Sequence, residues 1–147
     1  MICLPEEPQW KNHTTNDRRS TMAYGFPYHL RGNDSSFFST VNTGGRQLHR
    51  NPVPCAVCYV PQRSTSVMMP ASTNCPVGWT QEYGGYIVAI NDNINIYICV
   101  DQAPEVANGD SGSLYYVGVA VVKVYCGTLP CSPYLNYREF ACVVCTK

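Results

Sequence analysis

The clearest order along this chain is a series of short apolar runs separated by turn-forming residues. Residues 86–90 and 94–100 are largely apolar or aromatic and flank Asn91-Asp92-Asn93. Asn and Asp tolerate positive φ, so the pattern predicts a β-hairpin. Residues 114–125 form a long Val- and Tyr-rich run broken at Gly118. Its 119–122 stretch has no polar alternation, which predicts a strand covered on both faces. Residues 138–145 predict a closing strand. Two weaker strands are expected at 22–30 and 53–60, interrupted by Pro27 and Pro54. Residues 11–20 and 31–51 are rich in Asn, Asp, Ser, Thr and Gly and read as loops, which makes the first half the less stable one. No stretch carries the 3.6-residue periodicity of an amphipathic helix. The expected fold class is all-β.

The same pattern occurs twice. Val53-Pro54-Cys55-Ala56-Val57-Cys58 resembles Phe140-Ala141-Cys142-Val143-Val144-Cys145 at an offset of 87 residues. Upstream, Ile2-Cys3-Leu4 with Pro8 resembles Ile98-Cys99-Val100 with Pro104 at an offset of 96. The expectation is two divergent pseudo-repeats of antiparallel strands. An incomplete first repeat covers 1–60, a linker covers 61–72, and a complete second repeat covers 73–147. The first repeat has no counterpart for 75–97 or for the Cys126–Cys131 loop.

Composition narrows the class of molecule. The 147 residues include 10 basic and 10 acidic side chains, 45% hydrophobic residues, and 9 Cys, 11 Tyr, 11 Pro and 11 Gly. High hydrophobicity without net charge excludes an intrinsically disordered chain. A zero balance offers no basic surplus for neutralising phosphates, so no nucleic-acid partner is expected. No apolar run reaches the roughly 18–20 residues of a membrane helix. So many cysteines point to a secreted, disulfide-stapled protein. No signal peptide is visible at residue 1. That conflict leads to the expectation that an upstream piece of the protein is missing.

Two Cys-x-x-Cys pairs, Cys55/Cys58 and Cys142/Cys145, invite a four-thiolate zinc site. Both lie in strand-forming sequence, where residues three apart point to opposite faces and cannot share one ion. A redox pair would open a helix, and none is evident. Disulfides to different partners are expected instead, with no metal and no cofactor. Cys142 should not pair with Cys145. Cys126 and Cys131 bracket a short turn that a bridge closes easily, which leaves Cys75 and Cys99 for Cys142 and Cys145. The first repeat keeps only Cys3, Cys55 and Cys58, so one cysteine lacks a partner.

Cys55-Ala56-Val57-Cys58, Pro61, Val67, Cys75-Pro76-Val77-Gly78-Trp79 and Gly85-Tyr86-Ile87-Val88 together resemble the noncollagenous C-terminal domain of type IV collagen. The similarity is closer to spongin-type short-chain collagens and collagen-like proteins. It includes Cys75-Pro76-x-Gly78-Trp79-Thr80-x-Glu82-Tyr83-x-Gly85-Tyr86, the 126–131 segment, and the Arg138-Glu139-x-x-Cys142-x-Val144-Cys145-x-Lys147 ending. It covers 53–147 closely and 1–52 loosely. The resemblance implies nested bridges in each repeat: Cys75–Cys145, Cys99–Cys142 and Cys126–Cys131, then Cys3–Cys55, with Cys58 free. It implies an extracellular structural or assembly module whose partners are matrix proteins or another copy of itself. The chain has no Gly-X-Y stretch, so it forms no collagen triple helix by itself.

Catalysis is not expected. Gly109-Asp110-Ser111-Gly112-Ser113 resembles the nucleophile segment of trypsin-like proteases, but the mechanism also needs a base and an orienting carboxylate in reach. His13, His29 and His49 stand in no suitable context, and Asn108-Gly109-Asp110 is turn chemistry. Glu6-Glu7 reads as a solvated pair. Trp79, Tyr83 and Tyr86 are candidates for a sugar-stacking face, which makes a secreted carbohydrate-binding module the alternative function and glycans the alternative partners. Asn12-His13-Thr14 and Asn33-Asp34-Ser35 are glycosylation sequons, giving Asn12 and Asn33 as expected sites.

Overall fold

The backbone builds one antiparallel sheet with almost no helix, in a computed structural model that describes residues 3–5, 7–11, 25–90, 96–108, 118–127 and 129–147. Asn12, His13, the 91–93 turn and the 109–113 segment lie outside the described residues. The strands are β1 (Ser66–Pro70), β2 (Thr80–Ile90), β3 (Tyr97–Asp101), β4 (Val119–Val121) and β5 (Ala141–Thr146). Their order is β1-β5-β2-β3, with β4 also paired to β2. The fold is all-β and rich in disulfides.

β2 is the spine of the sheet. Its first half pairs with β5 and its second half with β3, and Gly85 and Tyr86 pair with both neighbours. Period-2 alternation then sorts its side chains. Val88 and Ile90 join Val100, Val119, Val106, Tyr28, Leu30, Phe38 and Leu48 in one buried cluster, with Tyr86 packed against it. Ile87 joins Cys99 and Cys142 in a second cluster, with Tyr83, Val144, Met68, Val122 and Phe140 against it. Val88 and Val119 are fully buried, and each such side chain contributes about 1.5–3 kcal/mol. Gly85 has to be glycine. A Cβ there would run into the Val100 carbonyl oxygen and lie 2.7 Å from the Gln102 nitrogen.

Several sequence expectations need correction. Residues 53–60 are not a strand but an irregular, largely exposed segment. Pro54 has no N–H, and no neighbouring strand is paired to this stretch among the described residues. Of the strand expected at 22–30, the described residues 25–30 form only isolated bridges, at Pro27 and Tyr28. The described part of the 114–125 run, from Gly118, pairs three residues, Val119–Val121, with β2. It then turns away to pair with 138–140: Phe140 N–H donates to the Val122 carbonyl at 3.1 Å and Val124 N–H to the Arg138 carbonyl at 2.8 Å. Val121 packs on one cluster and Val122 on the other. The stretch at 61–72, read as a linker, contains edge strand β1, registered from Ser66 opposite Thr146 to Pro70 opposite Cys142. The loop at 31–51 holds a short 3-10 helix, Gly32–Phe37.

Four backbone hydrogen bonds of the first half recur in the second. Val53 N–H to the Phe26 carbonyl (2.9 Å) corresponds to Phe140 to Val122. Tyr28 to Asn51 (3.0 Å) corresponds to Val124 to Arg138. Arg50 to Tyr28 (2.8 Å) corresponds to Tyr137 to Val124 (2.9 Å), and Asn51 to Leu48 (3.0 Å) to Arg138 to Leu135 (3.3 Å). The offset is 96 for residues 26 and 28 and 87 for residues 48–53. The nine-residue difference falls in the loop that carries the 3-10 helix.

That longer loop and its flanks grip the chain leaving β3. Ser39 N–H donates to the Gln102 carbonyl (2.7 Å). Asn42 Nδ2 donates to Ala103 (2.9 Å), Tyr28 Oη to Glu105 (3.0 Å), and the Arg46 guanidinium to Val106 (2.8 Å) and Ala107 (3.1 Å). The halves also meet where His29 N–H donates to the Val119 carbonyl at 2.8 Å and Val119 N–H to Pro27 at 3.0 Å. Gly118 lets them approach, because a Cβ there would lie 2.7 Å from both His29 Cβ and the Pro27 carbonyl oxygen.

Candidate functional site

The cysteines supply the chain's most distinctive chemistry, and strand register places each of them. Cys142 stands opposite Gly85 on β5, and Cys99 opposite Ile87 on β3. Their bridge joins the two strands that flank β2, with Cα atoms 5.8 Å apart. Cys145, three residues on, takes the other direction and bonds Cys75, which enters just before β2. Cys126 and Cys131 close their short loop, and Cys3 is bonded to Cys55. The three bridges of the second half are nested. Cys58 is exposed and free. Since Cys55, Cys142 and Cys145 are all in bridges, the four-thiolate set does not exist as ligands. No group of three or more His, Cys, Asp or Glu side chains is placed to hold a metal among the described residues.

Near these bridges, a β-bulge between Gln81 and Tyr83 makes Glu82 the extra residue of β2. Its carboxylate accepts the Thr146 hydroxyl at 2.5 Å and pairs with Arg63 at 2.7 Å, tying the end of β5 to the segment before β1. Tyr83 donates its hydroxyl to the Cys99 carbonyl at 3.1 Å. Burial raises its pKa, and Asp101 and then Cys58 add to that rise. Tyr83 and Tyr86 belong to opposite faces of the sheet, and Tyr86 is stacked by Phe37 and Phe38. With half-buried Trp79 they do not form one exposed aromatic platform.

The two described histidines form a pair that the sequence did not reveal. Their rings are 5.8 Å apart, edge to face. Arg31 Nε donates to His29 Nε2 at 2.6 Å. His49 Nδ1 is buried without a partner. Burial lowers the His49 pKa, and Arg50, His29 and Arg31 lower it further. Neither ring is hydrogen-bonded to a carboxylate among the described residues, so neither has the orienting acid of a serine-protease triad. At the position equivalent to His49 under the 87-residue offset stands Asn136, whose side-chain oxygen accepts the Cys126 N–H at 3.1 Å.

Asn33 lies exposed in the 3-10 helix, with its carbonyl accepting the Ser36 hydroxyl at 2.6 Å. Lys123 reaches Asp34 at 3.0 Å and Glu139 at 3.5 Å, a contact between the halves, and its pKa is raised first by the hydrogen bond to Asp34. No helix among the described residues is long and apolar enough to cross a membrane. No protein-family model matches this chain, and no solved structure matches it significantly.

Proposed function

We propose that this protein is a secreted extracellular structural or assembly module, without catalysis, of the kind found as noncollagenous domains of spongin-type and type IV collagens. The observation that carries the reading is the double set of bonds. The same backbone hydrogen bonds and the same bridge, Cys3–Cys55 and Cys99–Cys142, occur at offsets of 96 and 87. Such duplication, together with a nested cysteine pattern, matches what the sequence motifs imply for that class. Heavy disulfide use supports an oxidising compartment outside the cytosol. The protein's partners in this reading are matrix proteins or further copies of itself.

The test is secretion from a eukaryotic host followed by solid-phase binding to purified matrix proteins, with a glycan array run in parallel. The expected result is an intact disulfide-bonded product that binds matrix protein or self-associates and leaves the array blank. Selective glycan binding without matrix binding overturns the reading in favour of a lectin-like module. Labelling by a serine-hydrolase probe overturns the non-catalytic part.

A further inference from the structure

One corner of the fold gathers basic groups with no acid beside them. His29 and Arg31 follow the Pro27 and Tyr28 bridges, and His49 and Arg50 come from the segment facing them. Backbone bonds fix the corner: Arg50 N–H donates to Tyr28, Tyr28 N–H to Asn51, and His29 N–H to Val119. The two imidazole rings are 5.8 Å apart, and Arg31 Nε donates to His29 Nε2. His49 Nδ1 is buried with no hydrogen-bond partner among the described residues. Arg31 and Arg50 are exposed. The other basic side chains near the sheet are engaged: Arg63 with Glu82, Lys123 with Asp34 and Glu139, and Arg46 with two carbonyls. Among the described residues, no carboxylate is paired with Arg31, Arg50, His29 or His49. The hairpin itself does not require this charge. At the offsets of 96 and 87 the corresponding positions are Tyr125, Gly127, Asn136 and Tyr137, all uncharged, and the same backbone bonds form around them.

We propose that this corner, built by His29, Arg31, His49 and Arg50, binds a carboxylate of an acidic segment in a partner protein. The inference deepens the assembly-module reading and rests on it for the kind of partner. Arg31 and Arg50 supply the permanent charge, and a guanidinium fork matches a carboxylate through paired N–H donors. The imidazoles add charge when protonated. Like charges held close repel one another. Burial, then Arg50, His29 and Arg31, lower the His49 pKa, which registers that repulsion. A bound carboxylate removes it, so binding and His49 protonation should favour each other. The backbone bonds hold the corner ready, which limits the ordering cost of binding. A peptide carboxylate suits it better than a sulfated glycan does. Such a glycan carries charge along its length and needs a basic track. Here there is one compact corner, on a chain with 10 basic and 10 acidic side chains.

The probe is a hexaglutamate peptide, with hexaglutamine as control, titrated into the intact oxidised protein at about 0.15 M ionic strength, where loose attraction is screened. NMR follows the His29 and His49 rings. Hexaglutamate should shift both and raise the His49 pKa, and hexaglutamine should do neither. Arg31→Gln/Arg50→Gln should weaken binding by about tenfold or more. Arg31→Lys/Arg50→Lys keeps the charge without the fork and should restore part of it. Arg138→Gln, an exposed arginine outside the corner, should leave binding unchanged. An equal loss from Arg138→Gln, or an undiminished response in the double glutamine variant, overturns the proposal. So does a heparin oligosaccharide that binds this corner more tightly than hexaglutamate, which assigns it to a sulfated glycan. The solid-phase matrix assay on the same variants keeps the two readings apart. Matrix binding that survives Arg31→Gln/Arg50→Gln in full sinks the corner and leaves the assembly reading standing. Hexaglutamate binding at the corner of a protein that neither binds matrix protein nor self-associates sinks the assembly reading and leaves the acid-binding corner.

Discussion

Arg50 and Tyr137 sit 87 residues apart in the same left-handed backbone conformation, with φ of 66° and 64°. Each donates its N–H to the residue opposite, Tyr28 and Val124. Neither residue is a glycine, so local propensity does not select this conformation. The hairpin that both complete selects it. A shared left-handed turn with corresponding partners is a more exacting likeness between the halves than the residue identities around it.

Replacing Gly85 tests how tightly β3 and β5 close on β2. Gly85→Ala puts a methyl group against the Val100 carbonyl, and backbone cannot swing aside as a side chain can. The expected loss is about 3 kcal/mol or more in denaturant unfolding, at or beyond the upper end of overpacking costs. Gly84→Ala is the control. Its nearest contact is the end of Gln81, at 3.2 Å, and the expected cost is below about 1 kcal/mol.

His49 should make the fold acid-sensitive. Its pKa is lowered from 6.5 by burial and three basic neighbours. The unfolded chain therefore takes up this proton first. Stability is full above the unfolded value and falls as pH drops through 6.5 toward the lower native value. His49→Asn installs the amide found at Asn136. Melting curves between pH 7 and 5 should show a smaller decline for the variant than for the parent. Parallel curves would assign the acid sensitivity elsewhere.

Tyr28 gives the opposite dependence. Burial, then the Glu105 carboxylate, push its pKa from 10.0 up to about 12. The native phenol keeps its proton where the unfolded one loses it. Its contribution is present below pH 10 and is lost as pH rises from 10 toward 12. Tyr28→Phe removes the bond to the Glu105 carbonyl and should cost about 1 kcal/mol at neutral pH. It should also flatten the alkaline decline. Chemical denaturation at pH 7 and pH 11 separates the two effects.

The bridges should differ in worth. Cys99–Cys142 spans 43 residues and Cys126–Cys131 spans 5. Loop-closure entropy alone gives about 4 kcal/mol for the first and about 2 kcal/mol for the second. The double variants Cys99→Ala/Cys142→Ala and Cys126→Ala/Cys131→Ala leave no stray thiol. The first should melt at the lower temperature by calorimetry. The reverse order would show that native-state effects, not chain entropy, rank these bridges.

Asn33 is exposed in a short helix at the surface, where an oligosaccharide has room. A product secreted from a eukaryotic host should lose mass on glycosidase treatment, and Asn33→Gln should reduce that shift. An unchanged mass in the parent protein would show the site to be unused.

The sequence revealed local order well and partnership poorly. The second half of β2, strand β3 and the closing strand β5 were legible, because hydrophobic patterning is a property of contiguous sequence, whereas the first half of β2, from Thr80 to Gly85, was not foreseen. β1 was hidden in a presumed linker, since Val67-Met68-Met69-Pro70 is short and gains strand geometry only from pairing with β5. Residues 53–60 misled in the opposite direction. They have the composition of β5, but strand formation depends on neighbours, and no strand among the described residues is paired to them. Opposite orientations for Cys142 and Cys145 followed from the two-residue strand period. The buried nitrogen of His49 left no trace in the sequence, because it depends on a hairpin closed by residues more than twenty positions away.

The order of the bridges also fixes how the chain would bear tension. Pulled from its two ends, force enters at Cys3, crosses covalently to Cys55, runs to Cys75, and crosses again to Cys145. Most of the sheet lies off this load path. Only the stretch between Cys55 and Cys75 can lengthen, with β1 peeling from β5 as it does. Twenty residues pay out about 70 Å at full extension. Beyond that length the molecule is a covalent tether, and β2 with its two buried clusters stays folded however hard the ends are drawn.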